Sequence, residues 1–382
     1  MRYSIVSETW PPEVNGVALT VKSLQRGLLD RGHEVSVVRP EQGGTDPAGD
    51  GETLVGALPL PLYAGLRAGR PCTRRLQKLW MQARPDAIYI ATEGPLGWSA
   101  LRAARGLRIP VATGFHTRFD EYMRDYGLPW LEPLALRWMR RFHNRAGATL
   151  VPTRELQRQL LERGFDNPTL LARAVDTHLF DPARRDAAVR REWGIDGDGL
   201  AVIHVGRIAA EKNLELAVAA FRAIQRQRPD ARFVWVGDGP LREQLAREHP
   251  DFVFTGILRG EALARQFASA DLFVFPSRTE TFGNVTLESM ASSVPVVAFD
   301  YGAAHEHLRD GEHGAGIALG DDAGFIAAAA AIAGDDALRR EMGRAARAAV
   351  QHLSPERVAE DFDRLLAGLA QQGNPDARIR AA

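Results

Sequence analysis

A chain of 382 residues exceeds one compact domain of ordinary size and suits two. Hydrophobic residues make up 45% of it, enough for each half to bury its own core. Forty-eight Lys plus Arg balance 48 Asp plus Glu, and this zero net charge argues against a general nucleic-acid binder while leaving room for a local basic site for phosphate.

The chain enters a strand at once, over 3–7, with no charged leader and long apolar stretch before it, so no signal peptide is expected. The turn Pro11-Pro12-Glu13-Val14-Asn15-Gly16-Val17 follows, then a helix as far as Arg31. Further strands are predicted over 34–39, 54–58, 87–91, 110–115 and 148–151, with a Gly- and Asp-rich loop over 42–51. The polar segment from Asp176 to Arg185, interrupted by Pro182, marks the break between the halves. Strands resume over 200–205, 232–236, 252–255, 272–275 and 295–299. Most are continuous apolar runs alternating with helical patterns, which is the sequence form of parallel sheets covered on both faces and gives an α/β fold. A last helix over 355–369 carries Val358, Phe362, Leu365, Leu366 and Leu369, too rich a stripe for a free tail. Ser354 suits its N-cap and Pro355 its first position. The expected domains are 1–176 and 177–352, followed by a helix at 353–372 that returns to pack on the first domain and a tail at 373–382. No apolar run approaches the roughly 20 residues a membrane helix needs. The single cysteine, Cys72, allows no intramolecular disulfide and fits a reducing, cytoplasmic compartment.

Four strand ends carry chemistry. Gly206-Arg207-Ile208-Ala209-Ala210-Glu211-Lys212-Asn213 lies between the strand AVIHV and a helix. Ligands of parallel sheets bind at such ends. Arg207 offers a planar fork for phosphate oxygens and Lys212 a point charge, and the bracketing of one turn by both favours phosphate binding over solvated loop charges. Glu280-Thr281-Phe282-Gly283-Asn284-Val285-Thr286-Leu287-Glu288 follows the strand DLFVFPS and opens a helix. Gly283 and Asn284 place bare amide groups at its N-terminus, where a diphosphate is favoured. Glu288 stands among Val285, Leu287 and Met290, so its carboxylate needs a partner such as ribose hydroxyls. Gly16 permits close approach of a ligand to backbone, although Asn15-Gly16 alone reads as a turn and is no dinucleotide fingerprint. His116, in Gly114-Phe115-His116-Thr117-Arg118-Phe119-Asp120-Glu121-Tyr122, is equally open to a substrate role and a structural one. Asp196 and Asp198, and Asp361 and Asp363, are read as solvated acids. His305 and His307 lack a zinc spacing, and no metal is assigned.

Together these residues resemble glycosyltransferase family 4, over nearly the whole chain. The pattern Glu280 to Glu288, the loop Gly206-Arg207 to Lys212-Asn213, the turn Asn15-Gly16-Val17, Val236-Gly237-Asp238-Gly239-Pro240, the segment Val175-Asp176-Thr177 to Phe180-Asp181-Pro182 and the trailing ASSVPVVAFD agree in order and spacing. The resemblance implies two Rossmann-like domains facing across a cleft, the GT-B fold, and a retaining, metal-independent hexosyltransferase using a nucleotide diphosphate sugar, GDP-mannose or UDP-glucose. It implies that Arg207 and Lys212 hold the diphosphate and that Glu288 binds the ribose. Glu280 with the backbone of Thr281, Phe282, Gly283, Asn284 and Val285 would hold the sugar and phosphate. Gly206 belongs to the same loop, Gly16 approaches the phosphate, and His116 stands beside the sugar. The chain departs from the family at Thr281, at Ser292-Ser293 and at Ala174, where glycine or small residues are usual.

Ala91-Thr92-Glu93-Gly94-Pro95-Leu96-Gly97 and Phe142-His143-Asn144-Arg145 to Val151-Pro152-Thr153 resemble the branch that glycosylates lipid head groups. That branch implies a glycan or glycolipid acceptor at the inner face of a membrane. Two segments bear on this: Arg67, Arg70, Arg74, Arg75 and Lys78 interleaved with Leu66, Leu76, Leu79 and Trp80, and Arg137, Arg140, Arg141 and Arg145 interleaved with Leu136, Trp138, Met139 and Phe142. Each reads either as a membrane-surface helix or as a buried helix face with solvated arginines opposite. Competing functions are a nucleotide-sugar-binding protein without transferase activity and a nucleotide-sugar epimerase of the same fold. An NAD-dependent dehydrogenase lacks its fingerprint here.

Overall fold

The computed structural model describes residues 1–11, 16–42, 48–59, 67–116, 132–278, 280 and 282–373. Asn15, the middle of the expected loop 42–51, Leu66, Thr117 to Tyr122 and Thr281 lie outside the described residues. The chain divides into two compact units, one formed by Met1–Ala174 with the helix Pro355–Gly373, the other by Val175–Ser354.

The strands of the first unit are β1 (Arg2–Val6), β2 (Glu34–Pro40), β3 (Glu52–Val55), β4 (Ala57–Pro59), β5 (Arg67–Gly69), β6 (Ala87–Ile90), β7 (Val111–Gly114), β8 (Ala148–Val151) and β9 (Pro168–Leu170). Seven form a parallel sheet of order β3-β2-β1-β6-β7-β8-β9, and β4 pairs with β5 as a separate antiparallel ribbon. The second unit contributes β10 (Ala201–Val205), β11 (Arg232–Val236), β12 (Val253–Gly256), β13 (Leu272–Phe275), β14 (Val296–Phe299) and β15 (Gly314–Ile317), a parallel sheet of order β12-β11-β10-β13-β14-β15. Every residue of β6, β7, β8, β10 and β13 is buried, as continuous apolar strands require.

Two differences from the sequence reading have local causes. The run 54–58 breaks at Gly56: Val55 pairs with Pro40 in the sheet, while Ala57 turns to Gly69 in the ribbon. The strands β9 and β15 were not anticipated, because PTL is too short and GAGI too glycine-rich to register. Gly314 has φ +144, and a Cβ there would meet the Val296 carbonyl at 2.0 Å, so close strand approach demands the glycine.

The helix Pro355–Gly373 completes the first core. Val358, Phe362, Leu366 and Ala370 pack with Tyr3, Ile5, Leu24 and Tyr89. The Phe362 ring meets Tyr89 edge-on at 5.0 Å. A Cβ on Gly27 would lie 2.2 Å from that of Ala359, so this helix and Gly16–Asp30 touch nearly backbone to backbone. Asp363 corrects the reading of a solvated acid: it accepts from the Tyr3 hydroxyl at 2.9 Å and pairs with Arg31 and His33, each at 3.0 Å. These donors hold its carboxyl below the usual range against the opposing effect of burial, the largest single influence.

Of the two readings open for the first basic stripe, the structure takes the buried helix face. Leu76 and Trp80 of the helix Thr73–Gln82 are sealed in a core with Ile88, Ile90 and Ala103, so this segment is a packed helix with exposed Arg74, Arg75 and Lys78 opposite. In the helix Glu132–His143, Met139 and Phe142 are buried, but Leu134 is 62% and Trp138 40% exposed. Among the described residues no helix is long and apolar enough to cross a membrane.

The helix Asn284–Ala291 ends in a Schellman motif: the Val294 amide donates to Ser289 and the Ser293 amide to Met290, both at 3.0 Å. Ser293 consequently sits at φ +59, in the left-handed region. This explains why glycine is usual there in the resembling family.

Two outcomes are expected. Phe362→Ala should cost about 3–5 kcal/mol of first-unit stability in urea unfolding; a loss under about 1 kcal/mol would detach the helix from that core. Ser293→Gly should stabilise by roughly 0.5–1 kcal/mol, since left-handed strain of about 1–2 kcal/mol exceeds the entropy that glycine adds to the unfolded chain. An unchanged or lowered midpoint would show that the serine is unstrained.

Candidate functional site

Both sheets reverse their winding once, between β1 and β6 and between β10 and β13. At such switch points the loops leaving adjacent strands diverge and open a crevice at the carboxyl ends. In the second unit the two diverging loops are 206–213 and 276–283.

The first loop is set by backbone contact. Gly206 has φ +154, its amide donates to Val236 at 3.0 Å, and the Ile208 amide donates to Asp238 at 3.0 Å. A Cβ on Gly237 would stand 1.9 Å from the Gly206 carbonyl, and one on Gly239 2.3 Å from that of Ile208. The glycines of Val236-Gly237-Asp238-Gly239-Pro240 therefore let the loop lie flat on the neighbouring turn. Asn213 then turns the chain at φ 54, ψ 51 into the helix Leu214–Gln227, its side-chain amide donating to the Pro276 carbonyl at 3.3 Å.

That turn delivers Lys212 to Glu280, and the two form an ion pair. Ser277 donates to the same Glu280 oxygen at 2.8 Å. Both charged side chains are largely enclosed, 17% and 18% exposed. Arg207 differs: it is 65% exposed and makes a surface pair with Glu211 at 3.3 Å. Thus Lys212 and Glu280 are brought together, while Arg207 stands exposed to solvent.

Gly283, at φ 90 and ψ 63, caps the helix Asn284–Ala291 without a side-chain acceptor, so the amides of Asn284 and Val285 point out of the helix start. Phe282 is buried, and its carbonyl accepts from Ala303 at 2.7 Å. A Cβ on Gly302 would approach that carbonyl to 2.6 Å, so the turn before Ala303 braces Phe282. Glu288, one turn into the helix, is partly exposed as a residue, yet its Oε2 is sealed from solvent without a partner among the described residues. Burial raises its carboxyl to about 7. An orphaned buried carboxyl oxygen fits a pair of hydroxyl donors. Thr281 lies outside the described residues. His204, on β10 behind the loop, donates from Nδ1 to the Val274 carbonyl at 3.1 Å and is held neutral, with a pKa of about 4, chiefly by burial.

In the first unit Gly16 is exposed and opens the helix Gly16–Asp30. His116, just past β7, is 8% exposed and engaged at both nitrogens: Arg173 lies 2.6 Å from Nδ1 and the Tyr89 hydroxyl 2.7 Å from Nε2. A guanidinium only donates, so Nδ1 accepts and the neutral ring carries its proton on Nε2, towards Tyr89. Burial first, then the charge on Arg173, holds the imidazole well below its usual pKa. Gly114 is required beneath it, since a Cβ there would meet the Tyr89 hydroxyl at 2.3 Å and His116 Nε2 at 2.4 Å. Sequence reasoning missed Tyr89, Arg173 and Ser277. Arg173 carried a faint signal, as it precedes the departure at Ala174.

Glu8 and Glu93 stand at the switch point of this unit. Glu8 accepts from the amides of Gly69 at 2.5 Å and Leu96 at 2.8 Å. Glu93 is 3% exposed, and burial lifts it to about 8.

Known proteins match this architecture along its length. Residues 14–179 match the family described as Glycosyltransferase Family 4, and residues 199–335 the one described as Glycosyl transferases group 1. The chain is 37% identical to a GDP-mannose-dependent alpha-mannosyltransferase of Mycolicibacterium smegmatis over 357 residues, 92% of each chain. It is 30% identical to a GDP-mannose-dependent alpha-(1-6)-phosphatidylinositol dimannoside mannosyltransferase of Mycobacterium tuberculosis, over 78% of this chain and 79% of that one. Sucrose-phosphate synthase from Thermosynechococcus elongatus has the same fold, with a TM-score of 0.78 at 21% identity over 96% of this chain and 98% of that one. Matched in both of its units and related at this level across nearly all of its length, the chain belongs to glycosyltransferase family 4.

Proposed function

We propose that the protein is a retaining hexosyltransferase that moves mannose from GDP-mannose to a hydroxyl of a glycolipid acceptor. The observation that carries this reading is the convergence of Lys212, Glu280, the bare amides after Gly283 and the orphaned Glu288 carboxyl at one switch point. Mannose and GDP are preferred to glucose and UDP because the relatives above are GDP-mannose-dependent transferases. The acceptor class follows the phosphatidylinositol dimannoside named for one of them. A glycolipid is reached at a bilayer surface, so the reading includes a peripheral contact at the cytoplasmic face. It sets aside both the binding protein without transferase activity and the epimerase.

In this reading the bond between the hexose C1 and the diphosphate oxygen breaks, and its electron pair stays on the phosphate. C1 bonds to the acceptor oxygen as that hydroxyl gives up its proton. Negative charge therefore grows on the diphosphate. Lys212, Arg207 and the positive start of the helix Asn284–Ala291 stabilise it with charges belonging to the chain itself, without a metal. Glu280 orients the sugar hydroxyls, with Lys212 and Ser277 fixing its carboxylate. Glu288 accepts from the ribose. The backbone of Gly206, Phe282, Gly283, Asn284 and Val285 lines the phosphate and sugar. For the first unit, the family resemblance assigns Gly16 to the phosphate and His116 to the sugar, and the neutral His116 ring is locked by Arg173 and Tyr89.

Arg207→Ala and Lys212→Met should each lower turnover about 30- to 1000-fold, equivalent to roughly 2–4 kcal/mol of lost leaving-group stabilisation, with the fold intact. Near wild-type turnover in both variants, or wild-type activity abolished by EDTA, would sink the assignment.

Glu288 makes a second outcome measurable by calorimetry with GDP. Ribose hydroxyls favour its ionised form, so binding draws its pKa down from about 7. Affinity should therefore fall several-fold from pH 8 to pH 6 in the wild type, and less in Glu288→Gln. The nucleotide's own phosphate titrates equally in both proteins, so identical pH slopes would remove Glu288 from the ribose.

A further inference from the structure

The helices Pro95–Gly106 and Glu132–His143, with the turn after the second, enclose a hollow of about 490 Å3 on the first unit. Four guanidinium groups line it, from Arg102, Arg105, Arg141 and Arg145. Two tryptophans form its aromatic wall: the Trp98 and Trp138 rings stand 6.0 Å apart. Arg102 and Arg145 lie over the Trp98 ring at 5.9 and 5.5 Å, and Arg145 donates to the Arg141 carbonyl at 2.6 Å. The first helix contains no carboxylate, and the second has only Glu132, at its far end. Loss of solvent and then the like charges of Arg141, Arg105 and Arg102 hold the Arg145 guanidinium below its usual pKa.

The chain's total charge is zero, yet here one sign is concentrated, with Arg102, Arg105 and Arg141 exposed, and an anion in the hollow would offset their mutual repulsion. Planar guanidiniums suit the oxygens of a phosphate, and several around one hollow suit a phosphate better than a lone carboxylate. The rim identifies the source. Trp138 and Leu134 project from the same helix, 40% and 62% exposed, and an exposed aromatic and aliphatic pair beside arginines belongs at a bilayer interface. The helix Thr73–Gln82 offers no such rim beyond Met81, because its Leu76 and Trp80 are buried.

We infer that Arg102, Arg105, Arg141 and Arg145, walled by Trp98 and Trp138, form a seat for the phosphate of an anionic phospholipid headgroup, with Trp138 and Leu134 entering the bilayer interface. This rests on the membrane contact proposed above and gives it an address, apart from the donor residues of the second unit. The seat holds the enzyme on the surface where its acceptor lies, and it selects membranes by headgroup charge.

The test is flotation of the full-length protein with vesicles of equal parts phosphatidylglycerol and phosphatidylcholine, against pure phosphatidylcholine, at physiological salt. Arg141→Glu/Arg145→Glu should lower partitioning roughly tenfold or more, while retaining the wild-type melting midpoint and GDP affinity. Arg74→Glu/Lys78→Glu, on the packed helix, should lower it less than threefold. The milder Arg102→Gln/Arg145→Gln pair covers a folding defect in the reversal variant. Trp138→Phe should lose fluorescence quenching by brominated phosphatidylglycerol. Equal losses in the two reversal variants, or none in the first, would overturn the seat while leaving a membrane contact in place. Absence of wild-type binding to any vesicle would overturn that contact together with the seat. Millimolar inorganic phosphate saturating the site without vesicle binding would reassign it to a soluble anion and overturn the lipid.

Discussion

The ion pair between Lys212 and Glu280, residues 68 apart in sequence, is the constraint on which the donor side depends. Each group alone would be a half-enclosed charge at a strand end, costly to desolvate and free to choose its partner. Paired, they fix the separation of the two loops that diverge at the β10–β13 switch. Everything around them serves that alignment. The glycines at 237 and 239 let one loop lie flat, Asn213 reverses the chain in the left-handed region, and Ser277 anchors the carboxylate from below. Arg207, by contrast, is exposed and held by a surface pair.

Burial makes the second choice. It converts titratable groups to their neutral forms: His116 between Arg173 and Tyr89, His143 at the end of its helix at about 3, His204 at about 4, and Glu93 raised to about 8. Neutral histidines next to cations limit like-charge repulsion, and a neutral carboxyl remains a hydrogen-bond donor. Glu288, near 7, is the group poised to change state when a ligand supplies donors.

The fold was legible because parallel strands covered on both faces need continuous apolar runs, and AVIHV, RFVWV and LFVF display them without ambiguity. Loops at strand ends were legible for a related reason: glycines and charges that interrupt such runs have few other causes. What escaped was set by tertiary contact. GAGI reads as a loop, since nothing local tells that Gly314 must pass within reach of Val296. Asp363 looks like any helix-surface acid until Tyr3, Arg31 and His33 are known to surround it. Leu76 and Trp80 share their spacing with Leu134 and Trp138, and only packing reveals that the first pair is covered and the second is not. Arg102 and Arg105 gain meaning from a helix that begins some 30 residues later.

The interleaving of the units has a consequence for biosynthesis. Residues 175–354 leave the ribosome before the helix Pro355–Gly373, so the second unit holds its complete sequence while the first still lacks Val358, Phe362 and Leu366. During that interval the sheet surface around Tyr3, Ile5 and Tyr89 stays uncovered, an apolar face of the kind that chaperones bind and that aggregates in crowded polysomes. The nascent chain is therefore most vulnerable late in translation, and a premature stop before codon 355 would leave a second unit able to fold beside a first unit that cannot close.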